Sequence, residues 1–328
     1  MIKLELICLL CSTVLSLVLG CIFIAVSKRI KVGQPIYKYV ETHKEKNGTP
    51  TMGGLFFILS AVVTFLIFSK GDNRLSTVAM IIGLAYMLVG FLDDFIKIKS
   101  KDNQGLKPYQ KIIFQLSIAV VSGLFSFYNG LNNFYLPFTK MRVNLGVFTI
   151  IFVGFIFIAI TNSVNLTDGL DGLAGGVSRI YLIAISIIIY LQNFVWRVGA
   201  KNNAESQNLI TLCVCLIGAL TGFLTYNTNK ASVFMGDTGS LSLGGFIGAI
   251  SIFSGNSFFI PVLGIMFVIS SISVIMQVLY YKKTKKRVFL MAPYHHHLQM
   301  KGLRESKISY LYSFITMIVG VVCIIGCL

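Results

Sequence analysis

Ten apolar runs, most of them close to twenty residues long, constrain this chain more than any other feature. They fall at about 4–27, 52–69, 75–96, 109–128, 146–162, 172–191, 208–226, 240–254, 258–281 and 307–327. A helix needs about 20 apolar residues to cross ~30 Å of hydrocarbon at 1.5 Å per residue. Inside a bilayer every backbone N–H and C=O must be satisfied within the protein, which leaves helices or closed barrels. Continuous apolar runs without period-two alternation select helices. Composition agrees: only 12% of the 328 residues are charged and the mean hydropathy is +0.80, whereas a soluble domain carries about 25% charge to face water. The expectation is an all-α, polytopic membrane protein.

The basic excess, 28 Lys+Arg against 12 Asp+Glu, would suggest nucleic acid in a soluble chain. Here it reads as inner loops obeying the positive-inside rule, with no nucleic-acid partner. With ten crossings, the loops after odd-numbered helices hold 18 Lys+Arg and the opposite face holds 7. A re-entrant eighth run would move the richest loop, 282–305, to the poor side, so ten spans with both termini outside are expected. The first run is read as an uncleaved span, because it is long and followed by Lys28, Arg29 and Lys31. The seven cysteines all lie in apolar runs and read as small buried hydrophobes.

Five of the acids converge on the lysine-rich face. Asp93 and Asp94 follow the third run, Asp168 and Asp171 the fifth, and Asp237 the seventh. Taken singly, Asp237 reads equally as an N-cap of the eighth helix, and Asp168 and Asp171 as turn residues. Asp93-Asp94 resists that explanation. Adjacent carboxylates at a helix C-terminus oppose the macrodipole, and at a low-dielectric boundary they need a cation or a proton. Oxygen donors without a nearby cysteine suit a hard ion, Mg²⁺ where phosphates complete the shell. Lys44, Lys46, Lys97, Lys99 and Lys101 flank these acids, and glycine-rich turns stand at Gly48–Gly54. Together they suit a polyphosphate. The cluster from Lys282 to Arg287 is read as contact with anionic headgroups. His295, His296 and His297 stand in an inner loop, where adjacent side chains diverge too far for one metal; donation to phosphate or sugar oxygens fits better.

Five segments carry a resemblance: GTPTMGG at 48–54, DDFIKIKSKDNQGL at 93–106, NSVNLTDGLDGLAGG at 162–176, VFMGDTGSLSLGG at 233–245 and APYHHH at 292–297. In this order the chain resembles the bacterial phospho-N-acetylmuramoyl-pentapeptide transferases over essentially its whole length. The resemblance implies transfer from UDP-MurNAc-pentapeptide to undecaprenyl phosphate, giving lipid I and UMP with Mg²⁺ required. It implies a single transmembrane catalytic domain over 1–328, working as a homodimer in the bacterial cytoplasmic membrane with its site facing the cytoplasm.

By motif, Asp237 would bind the metal, while Asp93 and Asp94 would orient or deprotonate the lipid phosphate. Lys46, Thr51, Lys97, Asn162, Asn165 and Asp168 would surround the reacting phosphates. Gly169, Leu170, Asp171, Asn227 and Phe234 would form the uridine pocket. Gln277 and His295, His296 and His297 would lie toward the sugar-peptide side, His296 and His297 in catalytic roles. The chain departs from the family pattern at Lys230, where Pro is usual, at Gln299 for Glu, and at Leu303 for Trp. The alternatives are a polyprenyl-phosphate N-acetylglucosamine-1-phosphate transferase and a cation or nucleotide-sugar transporter. The latter predicts ionisable groups near the bilayer midplane, whereas nearly all of these sit at helix ends.

Overall fold

The computed structural model describes residues 2–30, 48–100, 105–139, 141–195 and 203–328. Each of the ten apolar runs is helical, and among the described residues strand occurs only in one small hairpin. In order, α1 spans Ile2–Ile30, α2 Gly54–Phe68, α3 Arg74–Ser100, α4 Pro108–Tyr128, α5 Thr149–Thr167 and α6 Leu173–Tyr190. After these come α7 Asn203–Asn227, α8 Gly236–Phe253, α9 Ile260–Leu263, α10 Ile265–Thr284, α11 Tyr294–Met300 and α12 Glu305–Gly326. The hairpin pairs Asn133–Tyr135 with Arg142–Asn144, and the Tyr135 N–H donates to the Gly255 carbonyl.

Helix α8 is the axis of the bundle. Every residue from Thr238 to Phe253 is buried, and α3, α5 and α2 pack around it. Small residues (Gly239, Ser240, Ser242, Gly244, Gly245, Gly248, Ala249) allow that crowding, as they do where lipid tails remove any hydrophobic drive between helices. Its eighteen residues reach about 27 Å at 1.5 Å per residue, close to the hydrocarbon thickness.

On the periphery the pattern inverts. Helix α1 turns Ser12 and Ser16 inward, where their hydroxyls donate to the Cys215 and Ala219 carbonyls of α7. It turns Leu6, Leu10, Val14, Val18, Ile22 and Val26 outward, an exposed apolar stripe repeating every fourth residue. Such a stripe is untenable in water and ordinary in lipid. Among the described residues, eight helices are long and apolar enough to cross a membrane, with Gly54–Phe68 a shorter apolar helix.

Three boundaries differ from the sequence expectation. Helix α3 does not stop near residue 96 but runs to Ser100, so Asp93 and Asp94 lie inside it and not at its C-terminus. The apolar run ends there, yet the backbone stays helical because Lys97 pairs with Asp93 one turn earlier, Nζ to Oδ2 at 2.5 Å. The ninth run breaks at Gly264, which separates α9, with a proline in its first turn, from α10. The loop 282–305 contains an unexpected short helix, α11, carrying all three adjacent histidines.

Candidate active site

Helices α3, α4, α5 and α8 meet at one end of the bundle, and their acids and bases meet with them. Carboxylate oxygens of Asp93, Asp94 and Asp237 lie within 4.8 Å of one another. Asp93 and Asp94 are buried. The cluster is braced by two ammonium groups. Lys97 Nζ stands 2.5 Å from Asp93, 3.8 Å from Asp94 and 3.1 Å from Asp237. Lys111 Nζ, in the first turn of α4, stands 2.6 Å from Asp237 Oδ2. Asn165 Nδ2 donates to Asp237 Oδ1 at 2.8 Å and to Ser240 Oγ at 2.9 Å, fixing the orientation of the carboxylate.

Asp94 has a definite task. Its Oδ2 accepts from the Thr238 N–H at 2.9 Å and hydroxyl at 2.7 Å, and its Oδ1 accepts from the Asp237 N–H at 3.2 Å. These are orphan donors at the start of α8, where a carboxylate is favoured by both hydrogen bonding and the macrodipole. The N-terminus of α8 is therefore capped by Asp94 from another helix, and not by Asp237, whose own carboxylate is left to face Lys97, Lys111 and Asn165. Two glycines permit the arrangement. Gly236 adopts φ +72°, and a Cβ on Gly90 would stand 2.1 Å from the Asp237 carbonyl oxygen, so α3 and α8 touch backbone to backbone.

Around this centre the remaining predicted residues fall into groups. Thr51 is buried beside Gly236, with Oγ1 3.1 Å from where a Cβ on that glycine would lie. Asp168 caps the end of α5. Burial raises its carboxyl well above the usual range, and the negative charges of Asp237, Asp94 and Asp171 add to the rise. Gly169 packs against His295 and His296: His295 Nε2 stands 2.3 Å from the place a Cβ would take. His295 is fully buried. Burial, with His296 beside it, holds its imidazole well below the ordinary value and hence neutral. Leu170 and Asp171 are buried, and Asp171 Oδ2 accepts from the Ala231 N–H at 3.1 Å. Asn227 accepts from the Gly172 N–H at 3.1 Å and donates to the Val233 carbonyl at 2.9 Å. Phe234 exchanges backbone bonds with Pro50 and Gly53, tying the 233–237 segment to the glycine-rich turn.

Other predicted residues bond to groups other than the three carboxylates. The Asn162 amide donates to Gln115 Oε1 at 2.7 Å and to the Ile158 carbonyl at 2.8 Å. Gln277 accepts from the Val288 and Phe289 N–H groups, and His297 Nδ1 accepts from the Leu290 N–H, so both shape the turn before α11. His296 Nδ1 lies 3.1 Å from Gln299 Oε1. Lys46 lies outside the described residues. Lys111 escaped the sequence analysis. Its signal was position alone, the fourth residue of the helix that follows α3 on the same lysine-rich face.

Fold and site together define a multi-pass membrane protein with one polar centre of carboxylates and lysines. Sequence comparison gives the class: the model of glycosyl transferase family 4 matches residues 75–255, and signature 1 of phospho-N-acetylmuramoyl-pentapeptide-transferase matches residues 46–58. Similar proteins carrying that transferase name include three from bacteria. The one from Clostridium novyi (strain NT) is 40% identical over 95% of this chain and 93% of its own length. The one from Clostridioides difficile (strain 630) is 37% identical over 94% of each, and the one from Helicobacter pylori (strain Shi470) 40% identical over 93% and 88%. The chain belongs to the phospho-N-acetylmuramoyl-pentapeptide-transferase family, within glycosyl transferase family 4.

Proposed function

We propose that the chain transfers phospho-N-acetylmuramoyl-pentapeptide from UDP-MurNAc-pentapeptide to undecaprenyl phosphate, yielding lipid I and UMP. The observation that carries this reading is the meeting of Asp93, Asp94 and Asp237 with Lys97 and Lys111 at the ends of membrane helices. A lipid phosphate is confined to the bilayer and a nucleotide sugar to water, and both reach such a boundary. The name of its relatives specifies the same transferred group, phospho-N-acetylmuramoyl-pentapeptide.

An oxygen of the lipid phosphate forms a new bond to the β-phosphorus of the nucleotide sugar. The bond from that phosphorus to the bridging oxygen breaks, and the electron pair leaves with UMP. Such a transfer asks for positioning and charge neutralisation more than for covalent chemistry. Asp94 is engaged by three donors at the start of α8, which suits a positioning role. Asp93 accepts one backbone bond, from Leu106 at 2.9 Å, and faces Lys97, so it takes the lipid-phosphate proton. Lys97, Lys111 and Asn165 hold the Asp237 carboxylate. Thr51, Asn162, Asn165 and Asp168 surround the phosphates, with Lys46 as a further cation. Gly169, Leu170, Asp171, Asn227 and Phe234 form the uridine pocket, and Gln277, His295, His296 and His297 the sugar-peptide side.

The three carboxylates are an all-oxygen donor set, which fits Mg²⁺. Asp237 would hold the ion, with Asp93 and Asp94 in reach, and the ion would neutralise charge on the phosphates. Detergent-solubilised protein is expected to release UMP from UDP-MurNAc-pentapeptide and not from UDP-GlcNAc, to stop in EDTA, and to recover with Mg²⁺ or Mn²⁺. Equal release from both donors contradicts the muramoyl assignment, and full turnover in EDTA sinks the metal.

We further infer ten crossings, both termini outside, a single transmembrane catalytic domain that forms a homodimer, and a site facing the cytoplasm of a bacterial plasma membrane. An impermeant thiol reagent should label Ser100→Cys only from the cytoplasmic side and Asn133→Cys only from outside. Labelling of both from one side breaks this topology.

A further inference from the structure

A cavity of about 570 Å³ opens beside the Asp168–Gly172 segment, lined by Thr49, by Lys230 and Ala231 of the turn after α7, and by Gln299, Arg304 and Glu305 at the α11–α12 junction. Both of its long walls are anchored on one residue. The Ala231 N–H donates to the Asp171 carboxylate at 3.1 Å, and Ser309, in the first turns of α12, donates to the Asp171 carbonyl at 2.8 Å. The cavity is thus fixed to the segment assigned above to uridine.

Its chemistry favours anions. Lys230, in the turn after α7, and Arg304, at the α11–α12 junction, both line it and are exposed, and among the described residues neither is ion-paired. Lys230 adopts φ +62° in a turn closed by the Ser232 N–H bonding back to Tyr226. Arg304 is the extended N-cap of α12 and makes no side-chain cap bond. The N–H groups of Glu305 and Ser306, first in that helix, have no intrahelical acceptor. Among the described residues one acid lines it, and Glu305 Oε1 accepts from Gln299 Nε2 at 3.1 Å.

If the transfer reading above holds, the donor's phosphates belong at the triad and its base at Gly169–Asp171, and the carboxylates of the peptide arm are anions that neither of those groups neutralises. We propose that this cavity is a peptide-carboxylate subsite, in which Lys230 and Arg304 clamp the anionic peptide arm of the nucleotide-sugar donor and set this chain's preference for it. Charge-assisted bonds from two cations and the open N–H groups of α12 are the donors such a carboxylate takes.

The test compares dissociation constants of the full-length, detergent-solubilised protein for UDP-MurNAc-pentapeptide and for UDP-MurNAc without its peptide. The wild type is expected to bind the peptide-bearing donor about ten-fold more tightly, a difference of ~1.4 kcal/mol. Lys230→Glu and Arg304→Glu should each erase most of that difference and leave binding of the peptide-free donor in place, which also reports that the variants are folded. Lys230→Arg should keep it. Where a charge reversal fails to fold, Lys230→Met and Arg304→Gln decide the same question. The proposal is overturned if the variants retain the full difference, or if both donors weaken equally, since the cations then serve the nucleotide phosphates. Absence of UMP release by the wild type defeats the transfer reading, while the binding comparison still decides the subsite.

Discussion

Asp237→Ala is expected to lower UMP release by about 10³-fold or more, at least ~4 kcal/mol of barrier, and Asp93→Asn and Asp94→Asn to do the same. Each loss has its own cause. Removing the Asp237 carboxylate strands Lys97 and Lys111, which approach it at 3.1 and 2.6 Å, and takes away the oxygen assigned to the metal. Asp93→Asn keeps an acceptor for the Leu106 N–H but loses the anion beside Lys97 and the group that takes the proton. Asp94→Asn keeps one oxygen where the carboxylate offered two, so only part of the cap on the start of α8 survives. Asparagine is the informative replacement there, since alanine would delete all three hydrogen bonds and cost about 0.5–2 kcal/mol of helix stability besides. Collapsed turnover in excess Mg²⁺ with a still cooperative thermal melt, lowered only in Asp94→Asn by the partial loss of its cap, is the expected pair of measurements. Near-normal turnover in any one variant removes that residue from the mechanism.

Much of this centre was legible in the sequence, because charge asymmetry between alternate loops assigns a face to every helix end. That puts Asp93, Asp94, Asp168, Asp171 and Asp237 on one surface from sequence alone, and the helices follow the apolar runs. The misplacements share one physical origin. Hydropathy marks where hydrocarbon ends, whereas helices end where their backbone donors and acceptors find other partners. Helix α3 continues past its apolar run on the Asp93–Lys97 pair, and α8 begins at Gly236 because Asp94 supplies its cap from a different helix. A cap from 143 residues away leaves no local pattern to find. Lys111 carries no motif of its own, and its ion pair exists only because α4 returns beside α3. Likewise, Gln277 and His297 bond to the backbone of the 288–290 turn, a role that residue type does not announce.

The last prediction separates geometry from charge. Gly90→Ala alters no ionisable group, yet turnover is expected to fall about 10²-fold or more. The added Cβ would stand 2.1 Å from the Asp237 carbonyl oxygen, 2.4 Å from its carbon and 2.6 Å from the Thr238 nitrogen. All three are backbone atoms, so no rotamer change relieves the overlap, and α3 must move away from α8. Asp93 and Asp94 ride on α3 one turn beyond Gly90, and Asp237 rides on α8. The same displacement therefore stretches the bonds from the Asp237 and Thr238 N–H groups to Asp94 and widens the triad. A misplacement of ~1 Å at a reacting centre costs about 10²-fold, and overpacking adds about 1–3 kcal/mol of destabilisation. Gly154→Ala, in α5, is the control: beyond its own turns of helix backbone nothing lies within 4 Å of its added Cβ, and alanine favours helix over glycine by roughly 0.5–1 kcal/mol. Wild-type turnover in Gly90→Ala would show that backbone contact between α3 and α8 does not set the spacing of the three carboxylates. A fall in Gly154→Ala as large as in Gly90→Ala would show that the loss reflects glycine replacement in general and not this contact.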